Sequence, residues 1–78
     1  MTPMQYAVHL QPDAEGGFVV TCRDLPELIT QGEDVTHALM EAMDALDEVV
    51  ALYRCESLAL PQPTPAQENE YLIAACRA

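Results

Sequence analysis

The sequence predicts an α+β domain of β-β-β-α-β order. A three-stranded antiparallel meander packs on one long helix, and a last C-terminal strand joins the sheet. Three observations predict this. Polar and apolar residues alternate from Met4 to Gln11 and again from Phe18 to Arg23, the period of half-buried strands. From Val35 onward the apolar spacing changes to three and four residues, the period of an amphipathic helix. Pro61, Pro63 and Pro65 then separate that helix from a final apolar run, Tyr71 to Cys76. Two layers enclosing one core are the expected solution for such a pattern.

In the first strand Met4, Tyr6, Val8 and Leu10 share one face, and Gln5, Ala7, His9 and Gln11 the other. Pro12 to Gly17 reads as a hairpin loop, because proline removes a ladder donor and Gly16 and Gly17 accept positive φ. In the return strand Phe18, Val20 and Cys22 face one way, Val19 and Thr21 the other. Asp24-Leu25-Pro26 breaks it, since Pro26 biases Leu25 away from helical angles and cannot donate. Glu27 to Gln31 reads as a third, short strand ended by Gly32. The helix of about twenty residues carries Val35, Ala38, Leu39, Ala42, Met43, Leu46, Val49, Val50 and Tyr53 as one stripe. Asp34 is placed to cap its first turn, with Glu33 near the positive dipole end and Arg54 near the negative one. Its polar face stacks Glu41, Asp44, Asp47 and Glu48, like charges that cost an isolated helix a few tenths of a kcal/mol per pair. Leu58 to Pro65 reads as an extended, polyproline-like connector.

At 78 residues the chain is expected to form a single domain over 1–78, with half its residues apolar. A chain this short buries roughly 60–65% of its unfolded surface, a thin margin for which oligomerisation is a common remedy. No apolar run approaches the ~18 residues of a membrane span, and no basic-then-apolar leader opens the sequence. A cytoplasmic location is expected. Cys22, Cys55 and Cys76 are an odd number without CxxC spacing, which argues against a disulfide framework or a zinc site. They read as reduced, small apolar residues.

Charge is the second strong signal. Thirteen carboxylates face three arginines and no lysine, for a formal net charge of −10. Nucleic-acid binding by counterion release needs a basic surface that this composition lacks. So strong an acidity repels DNA, RNA and anionic membrane and attracts basic proteins.

No catalytic constellation is expected. His9 lies in the first strand and His37 in the first helical turn, and neither has an evident link to a nucleophile; Ser57 is the one serine. Metal-dependent nucleases gather carboxylates around their cations, yet the strand interiors carry none. The phosphate loops GxxxxGK[ST] and GxGxxG are absent. No cofactor, no metal and no enzyme activity are expected.

The ordered set Tyr6-x-Val8-x-Leu10, Glu15-Gly16-Gly17-Phe18-Val19-Val20, Asp24-Leu25-Pro26-Glu27-Leu28-Ile29-Thr30-Gln31-Gly32-Glu33, Ala38-x-x-x-Ala42-x-x-Ala45-Leu46 and Leu60-Pro61-x-Pro63 resembles the HicB antitoxin family over about residues 4 to 76. The resemblance implies a truncated RNase H-like fold without the nuclease carboxylates. It also implies a partner: a small basic HicA-type toxin of double-stranded-RNA-binding-domain type, which cleaves mRNA using a histidine and which the antitoxin masks. Family members usually add a C-terminal helix-turn-helix or ribbon-helix-helix domain that represses the operon, and this sequence ends before one. His37 stands where relatives often carry a glutamate, so the reciprocal capping box is expected to be weakened.

The acidic helix stripe Glu41, Asp44, Asp47 and Glu48 is the expected toxin contact, with Asp24 and Glu27 as secondary contacts. A different class of function, a stand-alone oligomeric module, would use Tyr71, Leu72, Ile73 and Ala74 to form a homodimer or higher oligomer, because edge strands invite pairing. A vestigial metal-dependent nuclease is a third reading.

Overall fold

The computed structural model describes residues 5–74. It contains β1 (Gln5–Pro12), β2 (Phe18–Cys22), β3 (Ile29–Gly32), α1 (Val35–Cys55) and β4 (Glu70–Ala74). The four strands form one sheet in the order β3-β2-β1-β4, every neighbour antiparallel. The α+β class and the β-β-β-α-β order are those expected. Met4, placed in the first strand by alternation, and Ala75 and Cys76, placed in the last strand as part of an apolar run, lie outside the described residues.

Register settles which side chains share a face. Val8 sits opposite Cys22 and Leu10 opposite Val20, while Tyr6 sits opposite Ile73. These six line the face covered by the helix, and all are buried. The helix contributes Ala38, Ala42, Leu46, Val49 and Val50 to the same core.

Two boundaries differ from expectation. Pro12 ends β1, paired with Phe18, rather than opening the loop; at the last position of the ladder its missing N–H is not needed. The strand expected from Glu27 begins only at Ile29. Pro26 and Glu27 form a turn closed by the Leu28 amide, which donates to the Leu25 carbonyl at 2.9 Å. That turn drives both Leu25 and Leu28 into the core. Leu28 is therefore buried like a strand residue while belonging to a turn.

Glycine matters where layers meet. A Cβ on Gly32 would stand 2.4 Å from both the Cα and the N of Ala38. The end of β3 thus touches the first helical turn backbone to backbone. Gly17, at φ +76°, is bound to the same place, since its Cβ would lie 2.6 Å from the Gly32 carbonyl oxygen.

Both helix ends are capped. Asp34 Oδ1 accepts from the His37 amide at 2.7 Å, satisfying one orphan donor of the first turn. The reciprocal bond is not lost. His37 Nδ1 accepts from the Glu33 amide at 3.0 Å, an imidazole doing one residue upstream what a glutamate does in a capping box. At the other end the Leu58 amide donates to the Tyr53 carbonyl at 2.8 Å and the Ser57 amide to the Arg54 carbonyl at 3.1 Å. This is a Schellman closure, with Ser57 at φ 56° in the left-handed position that glycine usually fills.

The connector from Leu58 to Gln67 has no regular structure, as its prolines dictate. Side chains tie it down. Tyr6 donates its hydroxyl to the Pro61 carbonyl at 2.7 Å. Asp24 accepts from the Thr64 amide at 2.9 Å and from the Thr64 hydroxyl. The Arg23 guanidinium donates to the Thr64 hydroxyl, the Pro65 carbonyl and both oxygens of Glu70. Glu70 also accepts from the Gln67 amide. One arginine therefore clamps the connector and the start of β4 to the end of β2.

Electrostatics follow from that clamp. The Thr64 amide bond, then the Thr64 hydroxyl and Arg23, hold the Asp24 carboxyl below the usual carboxylate range. The Tyr53 hydroxyl, donating to Glu27 at 2.6 Å, does the same for Glu27. Carboxyls depressed in the folded state add stability above their ordinary pKa and lose it as pH falls through the lowered value.

Three outcomes follow. Gly32→Ala forces β3 and α1 apart and costs about 1–3 kcal/mol in urea unfolding, by overpacking at a backbone contact. Ser57→Gly relieves the left-handed serine and raises stability by about 0.5–1 kcal/mol in the same assay. The unfolding midpoint of the unmodified chain declines on acidification below about pH 4, and Asp24→Asn flattens that decline.

Candidate functional site

Helix α1 turns its apolar stripe inward and thereby presents the opposite face to solvent. Asp44 and Glu48 are exposed there; Glu41 and Asp47 flank them, half-buried. The four residues expected to form one acidic stripe do so. His37 Nε2 lies 3.5 Å from Glu41 Oε1, one turn apart. Of the arginines, Arg23 is engaged with Glu70 at 2.9 Å, and Arg54 sits in the last helical turn. Met40 and Leu52, both about half-exposed at 55% and 47%, interrupt the charges with apolar surface.

Asp24 and Glu27, the secondary candidates, lie away from this face at the corner between β2 and β3. Both are occupied internally, Asp24 by Thr64 and Glu27 by Tyr53. The Glu27 bond in turn raises the pKa of the Tyr53 hydroxyl. The fold does not bring these two carboxylates into the helix stripe. Sequence reasoning places Tyr53 in the apolar helix stripe but foresees none of the pairings of Arg23, Thr64 and Tyr53. Their partners lie 26 to 47 residues away in the chain, and no local pattern encodes a pairing at that distance.

The last strand divides its residues. Ile73 is buried opposite Tyr6 and belongs to the core. Tyr71 and Leu72 are exposed at 40% and 52%, and Ala74 is half-buried. The four do not form one patch, because alternate residues of a strand point to opposite faces.

An open cleft lies between the β1–β2 hairpin and the helix start, lined by Asp13, Glu15, Phe18, Glu33 and His37 among others. His37 is spent there on capping, and His9 is exposed on the uncovered face of the sheet, level with Thr21 and Glu70. Among the described residues no group of three or more His, Cys, Asp or Glu is arranged to hold a metal ion. Cys22 is buried and its thiol pKa is raised by that burial, the opposite of an activated nucleophile. Among the described residues no helix is long and apolar enough to cross a membrane. What the arrangement offers is a charged helix face on a helix capped at both ends.

The chain is similar to known proteins. Antitoxin HicB of Escherichia coli is 39% identical over 70 residues, which are 90% of this chain and 51% of that protein. Antitoxin HicB 1 of Photorhabdus laumondii subsp. laumondii is 38% identical over 66 residues, 85% of this chain and 43% of that protein. The chain thus spans about half the length of the curated relatives it matches, or somewhat less. The family model described as "HicB_like antitoxin of bacterial toxin-antitoxin system" matches residues 5–75. The chain belongs to the HicB-like antitoxin family of bacterial toxin–antitoxin systems.

Proposed function

We propose that this chain is the toxin-masking domain of an antitoxin, and that its ligand is a small basic mRNA-cleaving toxin of the HicA type. The observation that carries this reading is the helix stripe Glu41, Asp44, Asp47 and Glu48. It is displayed outward on a helix capped at both ends, in a chain of formal net charge −10. A toxin that binds RNA must carry a basic face, and that face is the electrostatic complement of the stripe. Covering it removes the RNA site with no chemistry by the antitoxin. Complementary charge of this kind speeds encounter and fixes orientation more than it deepens affinity.

Met40 and Leu52, set among the charges, supply the desolvated contacts that hold a complex once formed, since charge alone contributes little at an exposed rim. Asp24 and Glu27 are secondary contacts at most in this reading. Each is already an acceptor within the fold, and replacing either changes folding together with binding.

Reversing Glu41, Asp44, Asp47 and Glu48 to lysine, with the fold checked by circular dichroism, is expected to slow toxin association by roughly tenfold to a thousandfold at low salt. The unmodified pair should lose its rate advantage as ionic strength rises. Unchanged association kinetics in a folded variant would remove the helix from the interface.

A further inference from the structure

One hydrogen bond at the start of α1 depends on a proton. His37 Nδ1 accepts from the Glu33 amide at 3.0 Å, so the neutral ring carries its proton on Nε2, which lies 3.5 Å from Glu41 Oε1. An imidazolium has two donors and no acceptor. The bond to Glu33 therefore cannot survive protonation of the ring, while the contact with Glu41 becomes an ion pair. Histidine side chains take up their proton between about pH 8 and 5, an interval in which ordinary carboxyl groups stay ionised. The place of this bond gives it leverage. Glu33 follows Gly32, whose backbone touches that of Ala38, so its amide fastens the end of β3 to the first helical turn. The ring stands beside the open cleft under the β1–β2 hairpin, where a released amide meets water and not the core. Among the described residues, the charges facing the ring are carboxylates: Glu33 and Asp34 in the turn, Glu41 one helical turn on, and Asp13 and Glu15 across the cleft. No arginine is among the residues lining that cleft. Against this stands the helix N-terminus, whose amides repel a cation.

We propose that His37 is a proton-operated latch on the start of α1. With the ring neutral, Nδ1 holds the Glu33 amide and the turn between β3 and α1 is closed. With the ring protonated, that amide is released to water, the imidazolium pairs with Glu41, and a positive charge stands at the head of the acidic stripe. The helix itself stays capped, because Asp34 Oδ1 accepts from the His37 amide at 2.7 Å and a carboxylate oxygen keeps that role across the histidine range. The turn thus opens without unfolding the domain. A consequence for binding rests on the toxin reading: a cationic partner associates more slowly with the protonated chain, because part of the attraction along the stripe is cancelled. The latch does not depend on that reading.

The test is nuclear magnetic resonance of the isotope-labelled chain across the histidine range. At its alkaline end a coupling through the hydrogen bond is expected between the Glu33 amide nitrogen and His37 Nδ1, with the ring proton on Nε2. The coupling should vanish with the midpoint of ring protonation. Protection of the Glu33 amide, corrected for the pH dependence of intrinsic exchange, should fall roughly two- to tenfold with it, while the amides of Ala42 to Val50 stay protected. His37→Gln supplies an acceptor that does not titrate and should hold Glu33 protection constant. His37→Ala supplies none and should show the low protection at every pH. A neutral ring with its proton on Nδ1 overturns the proposal, as does Glu33 protection that ignores the ring. So does a folded His37→Gln chain that keeps the original pH response, or high protection in His37→Ala. Toxin association is a separate arm: on acidification its rate should fall by roughly twofold or more beyond the fall seen with His37→Gln. An equal fall in the two chains overturns the consequence for binding. Absence of association at any pH overturns the toxin reading, and the labelled chain alone then decides the latch.

Discussion

A side chain at position 32 would occupy space held by the backbone of Ala38, 2.4 Å from its Cα and its N. That contact fixes the distance between the layers at one end of the molecule, because neither backbone can yield as a side chain can. Gly17 fits beneath the same Gly32 carbonyl, so the hairpin, the end of β3 and the start of α1 meet at one point. From there the helix runs over the sheet, burying the small Ala38 and Ala42 in its first turns and the larger Leu46, Val49 and Val50 further along. Such complementary sizes are how a two-layer core reaches interior density. The inward stripe, once fixed, dictates the outward one, so the glycine contact also orients the carboxylates of the helix.

Scarcity of cations organises the rest. Thirteen carboxylates share three arginines, and the fold spends Arg23 on a single task. Its guanidinium draws together Thr64, Pro65 and Glu70, fastening a connector that has no secondary structure of its own. Neutral donors meet other internal needs: the Thr64 amide for Asp24 and the Tyr53 hydroxyl for Glu27. Each is a charge-assisted hydrogen bond, stronger than its neutral counterpart. Four further carboxylates, Glu41, Asp44, Asp47 and Glu48, share one face of α1, where like charges cost an isolated helix some stability. In the proposed function an external cationic surface recovers that cost.

Much of this was legible in the sequence, and the residues show why. Val8 and Leu10 in β1, Val20 in β2 and Ala38, Ala42 and Leu46 in α1 follow periods of 2 and 3.6, and all are buried as those periods require. Asp34 caps the helix by a bond that closes within three residues. Leu28 was misplaced because a buried leucine after a proline fits a strand and a turn equally well. The capping role of His37 was missed because the box is defined by glutamate or glutamine, although an unprotonated imidazole nitrogen accepts as well. Ser57 gave no stopping signal because glycine is the usual residue in the conformation it adopts.

Local information therefore determined the elements, their order, the inward and outward faces and, through the ordered glycine, DLP and TQG signals, the family. Periodicity and capping are short-range effects, and a single chain displays them without reference to its fold. Tertiary structure alone decided where β4 enters the sheet, that Ile73 belongs to the core while Leu72 stays outside, and that Asp24 and Glu27 are bound internally. Those outcomes depend on Arg23 and Tyr53 meeting residues 26 to 47 positions away. Such meetings are set by how the layers pack, at separations where no sequence pattern carries information.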